Sequence, residues 1–375
     1  MDITDIQEHL TQVIVDACND ALLTGDNRKG ADLPLPDLTL EEWDKLLSLA
    51  AAHGMLPAFM QVFEGRQVED KTLRTEILKW YALAQSYRQK FQLRLVTMHE
   101  LAGMFAEETM DIMFFKGAAL AQYYPTPDWR VFSDIDFYLF GKWKEGVKVM
   151  EKKGIRNRPY AHHNTEAVHH GILLENHYDF IERTYHRRHI KLDDALKELA
   201  AKEGRSLKAT FLAVNDWNAY VMTPTMNAIF LVRHMAAHFA SETIPLRMLY
   251  DWALFLRHDA ERVDWGWVCQ LYDDAKLTTF VGVIHQILHA HMGIDIPACP
   301  IQPLAGETAE RVWQSIVMPP DVNPHKQYTV SYYFYETKTF LNNRWKHHLV
   351  YPGESYVLLF FRYAWSVLKR LYVKY

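Results

Sequence analysis

The segment 114–140 constrains the fold of this 375-residue chain more than any other part of the sequence. It contains the turn Lys116-Gly117 after one apolar run, and Asp134-Ile-Asp136 at the start of another. The second run alternates polar and apolar residues, so as a strand it turns both carboxylates to one face, at the edge of a sheet. Neighbouring carboxylates repel each other unless a cation or a proton lies between them, and Mg²⁺ or Mn²⁺ binds oxygen ligands of this kind. A solvated acidic strand end is the simpler explanation of the pair taken alone.

A predicted strand, a glycine turn and a predicted helix precede the two carboxylates. Residues 110–115 are typical of a short buried strand, and residues 118–124 have a helical pattern. Gly117 lets backbone N–H groups approach a phosphate, and the start of a helix favours an anion. Lys116 adds a positive charge for the same phosphates. An ordinary turn with a surface lysine explains this element alone, but not its combination with the carboxylates and Arg130.

In chain order, the residues of these motifs are Lys116, Gly117, Tyr124, Pro125, Arg130, Asp134 and Asp136. This order resembles the motifs of the uncharacterised nucleotidyltransferase family of bacterial proteins. The family lies within the superfamily that includes DNA polymerase β and the minimal nucleotidyltransferases. The resemblance centres on residues 110–180, is weaker in the flanking helices, and implies an α+β fold. We expect a small mixed β-sheet with helices on one face, flanked by N- and C-terminal helical regions.

The chain departs from the superfamily in the glycine turn. Gly-Ser or Gly-Gly is usual there, and the serine hydroxyl helps to hold the phosphates, whereas this chain has Gly117-Ala118. The resemblance then implies that phosphate binding rests on backbone amides, Lys116 and Arg130.

The resemblance also implies a third carboxylate on a later strand, which would complete the metal site. The run 171–177 contains Glu175, with His177 two residues further on the same face. His177 is also a candidate to contact the substrate. Glu166 and Asp179 are the alternatives. We favour Glu175 because it lies inside the apolar run, whereas the other two carboxylates flank it.

By resemblance, the chain is expected to transfer a nucleoside monophosphate from a nucleoside triphosphate to a hydroxyl group, with release of pyrophosphate. Asp134, Asp136 and Glu175 would bind two metal ions, Mg²⁺ or Mn²⁺. The acceptor is open: a small molecule, a protein or an RNA. Two other hypotheses stand beside this one. The first is a catalytically degenerate member that binds a nucleotide or a partner, and the second is a metal-dependent phosphohydrolase that uses His258-Asp259 as a dyad.

Further polar candidates lie outside this core. His234 and His238 fall one helical turn apart, and Arg247 and Asp251 have the same spacing. The family tends to show such residues in its C-terminal helices, so all four are candidates to line the cleft opposite the carboxylates. Hydrogen bonding between helices and a simple Arg247–Asp251 ion pair explain them equally well, and no acid makes the histidine pair an HExxH zinc motif.

A histidine-rich stretch separates two predicted strands. The histidines are His162, His163, His169 and His170. Clustered histidines can bind metal, but we interpret residues 156–170 as a polar hairpin or loop.

Three regions are predicted. Residues 1–108 are helical, with an amphipathic helix over 3–23, a linker at about 24–37 and a capping box at Thr39 and Glu42. Residues 109–195 form the α/β core, and residues 196–375 are again helical. The tail from residue 355 is aromatic and basic; we expect a helix docked on the core, with contact to a membrane surface as the less favoured alternative.

Charge and cysteine content limit the partners and the compartment. A formal net charge of −5 and a pI near 6.4 argue against an extended nucleic-acid surface. Cys18, Cys269 and Cys299 are widely separated, which suits a reducing compartment and gives no zinc motif. The acidic N-terminus does not resemble a signal peptide, so a cytoplasmic protein is expected.

Overall fold

The computed structural model describes residues 3–24, 36–158, 163–183, 186–212, 218–296, 298–318, 324–325 and 329–361. Helices predominate, and in the sequence they lie before, between and after the strands of a single sheet. They are α1 (Ile3–Asn19), α2 (Leu40–Ala52), α3 (Leu56–Phe59), α4 (Lys71–Glu107), α5 (Gly117–Ala121), α6 (Trp143–Lys152), α7 (Ile190–Lys202), α8 (Pro224–Ser241), α9 (Leu246–Asp259), α10 (Trp265–Ala275), α11 (Thr278–Ala290), α12 (Glu307–Val317), α13 (Val330–Asn342) and α14 (Arg344–Val350).

Six strands among the described residues form one mixed sheet. They are β1 (Ile112–Phe115), β2 (Asp134–Tyr138), β3 (Asn157–Arg158), β4 (Asn164–His169), β5 (Ile172–His177) and β6 (Ala219–Val221). Their order across the sheet is β3-β4-β5-β2-β1-β6. Strand β2 runs parallel to β5 and antiparallel to β1, while β1 runs parallel to β6. The predicted α+β class with a small mixed sheet is therefore confirmed.

The alternation predicted for β2 is present, but this strand is not at an edge of the sheet. Ile135 and Phe137 are buried in one hydrophobic cluster with Phe105 of α4, whose ring centroid is 5.8 Å from that of Phe137. Asp136 points to the opposite face, which turns it toward the C-terminal helices. Because β5 and β1 pair with β2 on either side, the carboxylates lie in the middle of the sheet and not at its edge.

Helices cover both faces of the sheet, so the expectation of helices on one face was wrong. The face that contains Phe115 and Tyr138 packs on residues after β5 and on α8; the ring of Phe115 is 5.6 Å from Phe180 and 5.3 Å from Phe230. Burying a side chain of this size stabilises a fold by about 1.5–3 kcal/mol. The C-terminal helices are therefore bound firmly over the face that carries Asp136.

The N-terminal region follows the predicted helical pattern. Helix α1 is continued by a π-helical turn over Asp20–Thr24, and the capping box of Thr39 and Glu42 begins α2. Residues 25–35, most of the predicted linker, lie outside the described residues.

Strand β6 was not predicted. It lies within residues 196–375, which were expected to be helical, and it has only three residues, too few to show an alternating pattern. The sheet therefore extends past residue 195 in the sequence, while the division of the chain into three regions stays a prediction.

In the part of the chain that the structure describes, every helix is either too short or too polar to span a membrane. Residues 356–361 of the predicted tail are helical, and residues 362–375 lie outside the described residues. The choice between a docked tail and a membrane-surface contact stays a prediction.

Candidate functional site

A strained turn connects β1 to α5. Lys116 has a φ of 54°, in the left-handed region that side chains rarely adopt, and Gly117 follows with a φ of 31°. A Cβ atom at Gly117 would lie 3.1 Å from the ring of Phe132, so glycine allows the close approach as well as the backbone angle. A non-glycine residue in such a conformation costs about 1–3 kcal/mol, and such strain is commonly found at functional sites.

Two carboxylates lie next to each other on the covered face of the sheet. Asp136 and Glu175 are in register on the parallel strands β2 and β5. Ligand atoms of these two residues and of His177 lie within 4.8 Å of one another. The Oδ2 atom of Asp136 is buried and has no hydrogen-bond partner among the described residues. The structure therefore leaves one buried oxygen of Asp136 without a hydrogen-bond partner among the described residues, beside a second carboxylate.

Asp134 lies two residues before Asp136 on the same face and lines the adjoining cleft. Burial and the negative charge of Asp136 raise the pKa of Asp134 above its ordinary value. A nearby cation would stabilise the charged form of this carboxylate, because it would offset both the cost of burial and the repulsion from Asp136.

Two cations inside the protein already contact Asp136. The Nζ atom of Lys116 lies 2.6 Å from Oδ1 of Asp136, and Nε2 of His177 lies 3.0 Å from the same oxygen. Burial alone would raise the pKa of Asp136, but Lys116 and the hydrogen bond from His177 outweigh it and lower this pKa. Lys116, predicted to bind phosphates, is thus paired with a carboxylate in the structure.

His177 is buried behind the carboxylates. Its Nε2 atom is 3.3 Å from Oε2 of Glu175, and its Nδ1 atom is 3.2 Å from the carbonyl oxygen of Asp179. Because these neighbours and Asp136 are all acceptors, both ring nitrogens donate, which requires the protonated imidazolium. The hydrogen bonds to the two carboxylates accordingly raise the pKa of His177, although burial opposes the change. This arrangement positions the carboxylates, whereas the sequence had suggested contact with substrate.

The other candidates for the third carboxylate lie in different surroundings. Glu166 of β4 is opposite Glu175, on the side away from β2. Asp179 forms an ion pair with Lys197 of α7. Among the three candidates, Glu175 is therefore the one in register with Asp136.

Arg130 connects the turn to the C-terminal helices. Its Nε and Nη2 atoms bind both carboxylate oxygens of Asp251 at 2.7 and 2.8 Å, and Nη1 donates to the carbonyl oxygen of Gly117 at 3.0 Å. Tyr124 donates to Asp251 at 2.8 Å, and Arg247 lies 3.3 Å from it. Arg130, predicted to contact phosphates, thus uses its donors to hold the turn in place, and the predicted Arg247–Asp251 ion pair is confirmed.

A cleft of about 650 Å³ adjoins these residues, between the sheet and helices α8 and α9. It is lined from the sheet side by Lys116, Gly117, Arg130, Asp134 and Glu175, and from the helices by Arg233, His234, His238, Arg247 and Asp251. All four candidates from the C-terminal helices therefore lie opposite the carboxylates. Ala118 is buried and is not among the lining residues.

The two helical histidines have the spacing of a metal pair but lack further ligands. The ring centroids of His234 and His238 are 4.6 Å apart. Neither residue belongs to a group of three suitable ligands in the part of the chain that the structure describes. Burial and the nearby Lys116 lower both pKa values, that of His238 to about 4. Both rings are therefore neutral at pH 7 and can gain a proton beside an anion.

The cleft is also lined by residues that were not predicted, among them His53 and Arg233. His53, at the end of α2, accepts a hydrogen bond from the backbone N–H of Leu246 through Nδ1 at 3.2 Å. Arg233 lies on α8, one residue before His234. His53 is far from the motifs in the sequence and has no local signal, whereas the position of Arg233 next to a predicted cleft residue could have indicated it.

Two other predicted groups lie elsewhere. Asp259 accepts a hydrogen bond from Tyr123 and pairs with Arg262, so its oxygens are not directed at His258. His169 ends β4 and His170 follows it in the turn to β5, and both lie near Glu100 as possible ligands of a metal ion. His162 lies outside the described residues, and the interpretation of residues 156–170 stays a prediction.

Comparison with known protein families matches residues 39–293 to the family model described as "Uncharacterised nucleotidyltransferase". Comparisons with curated proteins and with solved structures gave no match. The family match includes the site residues on both sides of the cleft, from His53, which follows α2, to Asp251 on α9. It extends well beyond the segment 110–180 on which the resemblance in the sequence was centred. The chain therefore belongs to the uncharacterised nucleotidyltransferase family.

Proposed function

We propose that this protein transfers a nucleoside monophosphate from a nucleoside triphosphate to a hydroxyl group, in a reaction that depends on Mg²⁺ or Mn²⁺ and releases pyrophosphate. Membership of the family supports nucleotidyl transfer as the general activity. The observation that carries the finer proposal is the in-register pair Asp136 and Glu175, with an oxygen of Asp136 that has no hydrogen-bond partner among the described residues, beside a cleft lined by cations.

The donor set fits a hard divalent cation. Oxygens of Asp134, Asp136 and Glu175 would hold it, and carboxylates together with phosphate oxygens are the ligands that Mg²⁺ prefers. When bound, the ion would supply positive charge to the phosphates and lower the pKa of an acceptor hydroxyl.

The cleft fits a nucleotide in size and in charge. Its volume of about 650 Å³ lies within the range of about 300–1,000 Å³ that is typical of small-molecule sites. Arg247 and Arg233 bring positive charge to the wall opposite the carboxylates. His234 and His238 would add hydrogen bonds, and would gain protons next to a triphosphate. These residues would hold the phosphates and neutralise the charge that moves to the leaving group.

The reaction then needs no covalent intermediate on the protein. The acceptor oxygen forms a bond to the α-phosphorus, its proton passes to a carboxylate of the site, and the bond from the α-phosphorus to pyrophosphate breaks. Positioning supplies most of the acceleration in transfers of this kind. The acceptor can be a small molecule, a protein or an RNA. The setting would be the cytoplasm, which suits three unpaired cysteines.

The proposal is tested by release of pyrophosphate from each of the four ribonucleoside triphosphates, with Mg²⁺ or Mn²⁺ and a broad set of hydroxyl acceptors. Asp136→Asn should abolish the release, because it removes a negative charge from the centre of the site. Asp295→Asn is the matched control, since the Asp295 side chain is 81% exposed. Full activity in Asp136→Asn would rule out the assignment of the site.

Two observations favour a second candidate, a member that binds a nucleotide without catalysis. The ammonium of Lys116 and the imidazolium of His177 already neutralise part of the carboxylate charge, and Ala118 stands where the superfamily has serine or glycine. Tight nucleotide binding with no release of pyrophosphate across the acceptor set would support this candidate. Binding without any effect of Mg²⁺ would support it further.

A further inference from the structure

A second group of potential metal ligands lies where the C-terminal helices meet the start of α7. Ligand atoms of His186, His347 and Glu354 lie within 4.8 Å of one another. His186 is in the segment just before α7, His347 is on α14, and Glu354 follows α14. The Nδ1 atom of His186 is 2.7 Å from Oε2 of Glu354. More than 150 residues of sequence separate His186 from the other two, so the fold alone brings the three together.

Buried ring nitrogens without partners surround the same point. His347 is 3% exposed, and neither of its ring nitrogens has a hydrogen-bond partner among the described residues. The Nδ1 atom of the fully buried His189, whose ring is 6.1 Å from that of His186, also has none among them. A buried polar group without a hydrogen-bond partner lowers the stability of the fold. An imidazole with two such nitrogens therefore needs an explanation.

We infer that His186, His347 and Glu354 form a binding site for a divalent transition-metal ion, with zinc as the best fit. Two imidazoles and one carboxylate are a ligand set that zinc uses, with one position left for water or a further ligand. Ligands in a tetrahedral zinc site lie about 3.3 Å apart, given bonds of about 2.0–2.1 Å, so small side-chain movements suffice here. The metal would take one of the unpartnered nitrogens of His347.

The surroundings agree with this ligand set. Metal binds neutral imidazole, and the burial of both histidines disfavours their charged form. Glu354 brings negative charge to the cluster. Arg233 is one nearby cation that opposes metal binding; its guanidinium is 5.8 Å from the ring of Tyr351, which stacks on His186 at 3.5 Å.

The site would join the segment that contains α14 to the part of the chain that follows β5. The contact already includes a hydrogen bond from Arg188 to the carbonyl oxygen of Pro352 at 2.6 Å. His347 and Glu354 lie beyond residue 293, where the family match ends. The metal would therefore lie apart from the carboxylates of the cleft, and two of its three ligands would come from the segment beyond the family match.

The test is a zinc titration of the full chain, free of any histidine tag and treated with chelator, in competition with a chromophoric chelator. We expect one tightly bound equivalent in the wild type. In His347→Gln and in Glu354→Gln the affinity should fall by more than about 100-fold, because even groups outside the ligand shell contribute about 10–100-fold. Zinc should also raise the midpoint of thermal unfolding in the wild type and not in Glu354→Gln.

Two matched controls separate this site from the other clusters. His170→Ala alters the surface cluster of Glu100, His169 and His170, and Asp136→Asn alters the cleft; both variants should keep the tight equivalent. If His347→Gln does not fold, Glu354→Gln still tests the site. The Glu354 side chain is 22% exposed, so it is less buried than His347. No tight zinc in the wild type, or unchanged binding in Glu354→Gln, would overturn the inference, as would loss of the equivalent in either control.

Discussion

Replacing Lys116 with methionine should destabilise the metal-free protein and make its stability depend on Mg²⁺. The ammonium of Lys116 lies 2.6 Å from Asp136, whose side chain is fully buried. Methionine keeps most of the volume but removes the charge, so Asp136 is left with His177 as its remaining cationic partner. If the carboxylates bind metal, Mg²⁺ can then take over the role of the ammonium.

The magnitude follows from the burial of the pair. Breaking a buried ion pair by removing one partner costs about 3–5 kcal/mol, because the remaining charge is uncompensated. Lys116 is 16% exposed and His177 stays in contact, so we expect a loss of about 2–4 kcal/mol in the free energy of unfolding. The double variant Lys116→Met/Asp136→Asn should lose less than the sum of the two single variants, because it leaves no unpaired charge.

The assay is urea unfolding, followed by tryptophan fluorescence and by circular dichroism, with a chelator or with millimolar Mg²⁺. Lys191→Met is the matched control: its ion pair with Asp274 has a similar length of 2.9 Å but is largely exposed, so it should cost less than about 1 kcal/mol. Mg²⁺ should restore much of the stability of Lys116→Met. A loss no greater than that of the control would refute the reasoning about the pair, and a loss that Mg²⁺ leaves unchanged would count against a metal at Asp136.

Three further predictions follow from the same region. Asp251→Asn should lower the free energy of unfolding by about 3–5 kcal/mol in urea unfolding, because it leaves the buried guanidinium of Arg130 without its carboxylate; a loss below 1 kcal/mol would contradict this. Burial lowers the pKa of His53 to about 4 from 6.5, so the unfolded chain binds more protons between these values and stability should fall as the pH drops from 6.5 to 4. In His53→Gln the slope of stability against pH in that window should be smaller by up to about 1.4 kcal/mol per pH unit, and an unchanged slope would be evidence against the assignment. Triphosphate binding should take up protons at His234 and His238 and become tighter as the pH falls toward 5, which calorimetry in buffers of different ionisation enthalpy measures; no proton uptake would show that the phosphates lie elsewhere.

The sequence predicted those parts of the site that depend on local patterns. The alternation in β2 placed Asp134 and Asp136 on one face, and the capping box at Thr39 marked the start of α2. Glu175 was chosen over two alternatives because it lies inside an apolar run, and the structure places it in register with Asp136. In each case the side-chain period of the element carries the information.

Contacts between distant residues could not be predicted in the same way. The sequence suggested phosphate contacts for Lys116 and Arg130, but it does not show that Asp136 and Asp251 lie close enough to bind them. A charged side chain has the same appearance in a sequence whether it faces a ligand or a buried partner. The second covered face of the sheet and the three-residue strand β6 were missed for a related reason, since both depend on how the C-terminal helices pack.

The most direct test of the account is a calorimetric titration of each nucleoside triphosphate into the protein, with and without Mg²⁺, for the wild type and Asp136→Asn. Circular dichroism should first show that the variant is folded, and Asp295→Asn again serves as the exposed control. The account predicts binding of at least one triphosphate that requires Mg²⁺ and is lost in Asp136→Asn but kept in the control. Binding that is equal in Asp136→Asn, or no binding of any triphosphate to the wild type, would contradict it.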